Sequence, residues 1–152
     1  MAEVVSDLAN VIPILLNLVP VLVIMLTSCL LSKVGRKTLL QIGTLIEVIS
    51  LIIVSVGYFL NSDEGKIMIV VGLFIWMIGF GLSLGPIVWL YIAEIIQPDF
   101  IPFPTTVNWF MAALVAILFP ILLQALGSAG PIFAFFAGYT LLFMFINQKC
   151  LL

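Results

Sequence analysis

This sequence predicts an all-α membrane protein, and three observations carry that prediction. Hydrophobic residues make up 64% of the 152 residues, charged residues 8%, and the mean hydropathy is +1.41. A soluble domain carries roughly a quarter charged residues; five Lys/Arg and seven Asp/Glu cannot cover a water-facing surface. The apolar residues fall into about five long runs, each apolar on every face, as suits a helix in lipid. None alternates in the way of a transmembrane barrel strand.

The elements follow in order. Residues 1–10 read as a short polar N-terminus, and residues 11–150 as a single transmembrane helical domain. The first span, about 11–31, holds Pro13, Asn17 and Pro20, which predicts a kinked helix whose freed carbonyls are met by neighbours. Lys33, Gly35, Arg36 and Lys37 end it. The second span, about 38–60, is interrupted by Glu47, and 61–66 form a polar turn. The third, about 67–92, is rich in glycine (Gly72, Gly79, Gly81, Gly85) and meets Pro86. A proline-bearing loop, 94–104, leads to the fourth span, about 105–126. A tight turn at 127–131 leads to the fifth, about 132–146.

Charge narrows the function and orients the chain. With a net charge of −2 and no basic stripe, nucleic acid is excluded as a partner. There is no histidine, phosphate loop, nucleophile–base pair or metal cluster, so an enzyme, a metal site and a cofactor are not expected. Cys29 and Cys150 read as buried, reduced thiols. Residues 1–10 carry Glu3 and Asp7 without Lys or Arg, unlike a secretory or transit leader. Lys33, Arg36, Lys37 and Lys149 fall on one side of a five-span chain and Lys66 on the other. The bias predicts the N-terminus outside and the C-terminus on the cytoplasmic or matrix-like side.

Three segments carry more than hydrophobicity. Gly35-Arg36-Lys37 forms a turn between two spans. Gly85-Pro86-Ile-Val-Trp89 runs on to Glu94, and Asn108-Trp109 opens the fourth span. Gly81 and Gly85 permit close approach of a backbone or a substrate. Pro86 breaks the helix and frees carbonyls toward a cavity, as at transport sites. Trp89 offers an apolar face and an N–H donor, and Asn108 adds hydrogen bonds. Plainer readings stand beside these: the glycine face as packing, Trp109 as an interfacial anchor, Arg36 as a topology signal.

In order and spacing these segments resemble the C-terminal half of a sugar porter of the major facilitator superfamily. That family has a GRR/GRK turn, a GPxxWxxxxE helix and an NW helix. The resemblance implies that the five runs correspond to helices eight to twelve. It implies sugar contacts at Gly85, Pro86, Trp89 and Asn108, and an inner-face charge network of Arg36, Lys37 and Glu94. The remaining seven helices, including one with QQxxGxN, are not in these 152 residues. Residues 95–104 hold no arginine, and Ala112 stands where many members have a second asparagine.

The expected function is therefore part of a hexose transporter working by alternating access and unable to transport alone. The alternative is a degenerate, non-transporting structural subunit of a larger membrane complex. Both need the lipid bilayer and other membrane-protein chains; the first adds a small sugar. Glu47 is the unusual intramembrane charge, about eight residues into its span, where an ionisable group costs on the order of 2–3 kcal/mol. Asn17 and Thr27 are its candidate partners within the chain, and in isolation its polar face is expected to turn toward lipid.

Overall fold

The structure, a computed structural model, describes residues 2–60 and 62–150, with side chains over residues 18–149 apart from 61. Six α-helices form it: α1 (Ala2–Val34), α2 (Arg36–Leu60), α3 (Asp63–Leu82), α4 (Pro86–Ile95), α5 (Pro102–Leu126) and α6 (Gly130–Cys150). A 3₁₀ turn, Pro98–Phe100, precedes α5, and no strand occurs among the described residues. Four helical segments there are long and apolar enough to cross a membrane, α3 and α4 together making one of them. The chain is an all-α membrane protein.

Two of its turns depend on glycine. Gly35, at φ +83°, separates α1 from α2 by a single residue, and Gly127, at φ +67°, ends α5 with its N–H on the Leu123 carbonyl. Both sit in the left-handed region that costs a residue with a Cβ roughly 1–2 kcal/mol. Residues 2–10, set apart in the sequence as a polar N-terminus, are helical and belong to α1.

Helix α2 is the centre of the packing. Leu39, Gly43, Glu47, Ser50, Val54 and Gly57 are buried along it, in steps of three and four. The matching surface on α3 is a row of buried glycines seven residues apart, Gly65, Gly72 and Gly79. A spacing of seven keeps two turns of helix on one seam. The seam is tight: a Cβ on Gly72 would stand 2.6 Å from Val54 Cγ2, and one on Gly79 3.0 Å from Glu47 Cγ. Small residues let the backbones approach, which is what holds helices together where lipid offers no hydrophobic drive.

On another side of α2 lies α6. Ser55 Oγ donates to the Gly130 carbonyl at 2.9 Å, and Tyr58 stacks on Phe133 with ring centroids 5.7 Å apart. Helix α1 leans on α3, where the Val23 side chain fills the place of the Cβ that Gly81 lacks. Helix α5 buries none of its residues and meets α6 through the Phe119–Phe133 edge contact at 6.2 Å. Cys29, expected buried, is exposed on α1; the side chain of Cys150 lies outside the described residues.

Candidate functional site

The third apolar run is two helices rather than one, and the break between them organises the site. Pro86 has no N–H to offer the Leu82 carbonyl, and α3 ends at Leu82, whereas α5 runs on through Pro120. The Gly85 N–H reaches back five residues to the Phe80 carbonyl at 2.9 Å, and the Ser83 N–H shares that acceptor at 3.3 Å. Ser83 leaves helical geometry (φ −123°, ψ −95°), and α4 begins at Pro86. This is a local widening of the helix, of the kind that recurs at functional positions.

The widening deprives Gly81 of the donor its carbonyl would receive from Gly85. The expectation that freed carbonyls face a cavity fails for Gly81: its oxygen accepts from Thr27 Oγ1 on α1 at 2.9 Å, and Thr27 is fully buried. Thr27 therefore holds the break and is not a partner of Glu47.

Beside the break lies a cavity of about 370 Å³. Trp89 of α4 and Asn108 of α5 both line it, so two of the four expected sugar contacts share one space. Phe80, Tyr139 and Thr140 close other sides. Gly85 and Pro86 are not in its lining. They act from behind: Pro86 starts α4, and a Cβ on Gly85 would crowd the Phe80 ring and carbonyl at 3.3 and 3.0 Å. Aromatic faces and a few hydrogen-bonding tips are what a sugar ring needs, apolar C–H patches against rings and hydroxyls against amide, indole and phenol.

At the opposite end of α4, Glu94 accepts from the Arg36 guanidinium. The bond joins the start of α2 to the last turn of α4. Both side chains are about half-exposed, so water and salt reach the pair. Lys37, grouped with these two in the sequence, has no ion-pair partner among the described residues.

Glu47 does not face outward. It is 2% exposed, wedged between α2 and α3, with its stem against Gly79. Ser83 Oγ is hydrogen-bonded to its carboxyl at 2.6 Å. Of its candidate partners, Thr27 is engaged at the break and the side chain of Asn17 lies outside the described residues. The sequence reading missed Ser83, Tyr139 and Thr140. For Ser83 the sequence carried no local signal, because its pairing with Glu47 depends on the register of α2 against α3.

The chain matches the family described as sugar (and other) transporter over residues 2–151. It belongs to the sugar transporter family. Among similar proteins is a probable metabolite transport protein of Saccharomyces cerevisiae, 31% identical over 80% of this chain and 25% of that protein. A D-xylose transporter of Levilactobacillus brevis is 28% identical over 74% of this chain and 25% of its own length. An arabinose–proton symporter of Bacillus subtilis is 29% identical over 80% and 27%. The chain thus spans about a quarter of the length of the curated relatives it matches. With that family and these apolar helices, it is an integral membrane protein of the sugar transporter type.

Proposed function

We propose that this chain forms one side of the sugar pathway of a hexose-type transporter that works by alternating access. Other membrane-spanning segments supply the opposite side, and the chain does not transport alone. The supporting observation is the shared cavity of Trp89 and Asn108 beside the α3–α4 break. A helix broken inside its span, next to a space with a few polar groups, is the usual form of a transport site. The Arg36–Glu94 pair ties the inner ends of two helices and favours a closed inner face. The reading places Lys33, Arg36, Lys37 and Lys149 on the inner side, with the N-terminus outside.

The test is uptake of labelled glucose and xylose by transport-deficient cells. The chain is expressed alone, and then together with the N-terminal seven helices of a family member. Uptake is expected only in the second case, and Trp89→Ala or Asn108→Ala is expected to lower it at least tenfold, the scale of a lost buried hydrogen bond or stacking contact of about 1.4 kcal/mol. Uptake by the chain alone overturns the need for partners. No uptake with partners that bind the chain favours the structural-subunit reading.

A further inference from the structure

Glu47 and Ser83 form a reciprocal clasp that the sugar-pathway reading does not use. Helices α2 and α3 run antiparallel, and their four-residue steps meet head to tail. Glu47 lies on Gly79, where a Cβ would be 3.0 Å from both Glu47 Cγ and its backbone nitrogen. Ser83 lies on Gly43, leaving no space there for a side chain. Between the two, Ser83 Oγ stands 2.6 Å from Glu47 Oε1 and 2.8 Å from the Gly79 carbonyl; its single proton serves Gly79 when the Glu47 carboxyl donates its own proton to Oγ. Gly79 needs that hydroxyl, because the N–H that would serve its carbonyl in a continued helix, that of Ser83, has turned to Phe80. The clasp therefore satisfies the last turn of α3 where the helix stops, three residues before α4 begins. Ser83 is fully buried and Glu47 nearly so, so these bonds are made in low-dielectric surroundings. The Ser83 carbonyl accepts the Ile87 N–H at 3.1 Å, which carries the same residue into the first turn of α4. Ile87 is fully buried, and Trp89 stands two residues further on.

From this continuous path we infer that Glu47 is a positioning residue. Acting through Ser83, it fixes the angle at which α4 leaves α3 and so where Trp89 stands in the cavity. The inference takes the importance of Trp89 from the proposed function, but the angle itself is measured without sugar.

The experiment places spin labels at Val71 on α3 and Ile95 on α4, both exposed, in a background with Cys29 and Cys150 replaced by serine. The distance distribution is read by pulsed electron resonance in nanodiscs. The unaltered clasp is expected to give one narrow distribution. Glu47→Leu, which keeps bulk without hydrogen bonding, and Ser83→Ala are each expected to shift and broaden it. Glu47→Gln is expected to restore the narrow form, since an amide still bonds a hydroxyl. The double variant is expected to go no further than either single change. A narrow, unshifted distribution in Ser83→Ala overturns the inference, and that small substitution serves even where Glu47→Leu fails to fold. Equal broadening in Glu47→Gln and Glu47→Leu also overturns it. Loss of sugar uptake with an unchanged angle would contradict this inference and leave the transport reading standing.

Discussion

Thr27 Oγ1 donates to the Gly81 carbonyl across 2.9 Å, joining α1 to the carbonyl that the break in α3 leaves without its helical donor. The hydroxyl also lies 2.8 Å from the Val23 carbonyl on its own helix. Val23 already receives the Thr27 N–H in the helical ladder, so the hydroxyl proton is needed at Gly81. A broken helix in a membrane persists only where each freed backbone group finds a partner, and here a neighbouring span provides one.

Thr27→Val keeps the shape and removes the donor. It is expected to lower stability by about 1–3 kcal/mol, the range for stranding a buried acceptor. Thr27→Ser is expected to retain most of it. Thermal unfolding of the purified chain in detergent measures both, and equal midpoints for the two variants would count against the bond.

Three glycine-to-alanine changes separate three physical causes. Gly79→Ala drives a methyl into backbone and Glu47 stem at 3.0 Å, an overpacking cost of about 1–3 kcal/mol. Gly35→Ala meets nothing within 4 Å but must hold φ +83°, a cost of about 1–2 kcal/mol. Gly138→Ala meets nothing and needs no special dihedral, so a gain in helix propensity of up to about 1 kcal/mol is expected. The order of unfolding midpoints should be Gly138→Ala highest and Gly79→Ala lowest. A Gly79→Ala midpoint above that of Gly35→Ala would show that the α2–α3 seam is looser than described.

The Arg36–Glu94 pair is about half-exposed at the ends of its helices, so its effect should be local and salt-sensitive. Arg36→Glu places two carboxylates together and is expected to speed hydrogen exchange at the Ile96 amide, which closes the last turn of α4 on the Ile92 carbonyl. The exchanged pair Arg36→Glu with Glu94→Arg is expected to slow it again. Raising the salt should narrow the difference between the unaltered chain and Arg36→Glu. If the double variant exchanges as fast as Arg36→Glu alone, the two residues do not act as a pair.

Run lengths made the helices legible, because a span must be long and apolar whatever its neighbours. The break was legible in Pro86, since the missing N–H is a property of one residue. Trp89 and Asn108 were found because both sit in recognisable segments. What the sequence hid was register. Glu47 finds Ser83 across 36 positions only because α2 and α3 align Gly43 with Ser83 and Glu47 with Gly79. Thr27 reaches Gly81 across 54 positions for a similar reason. Tyr139 and Thr140 reach the cavity through the seating of α6, fixed far away by Ser55 and Gly130. Pairings of this kind depend on how helices slide past one another, which no local pattern reports.

The glycine row of α3 has a mechanical consequence. Helices locked at Gly65, Gly72 and Gly79 cannot slide or tilt without collision, so α2 and α3 behave as one stiff post. Helix α5, with no buried residue, packs chiefly on α6 among the described residues. The cavity beside Trp89 thus meets the α2–α3 pair at Phe80 and the sparsely packed α5 at Asn108. Substitutions along the glycine row should change how much protein survives in the membrane. Substitutions on α5, which buries none of its residues, should change it less.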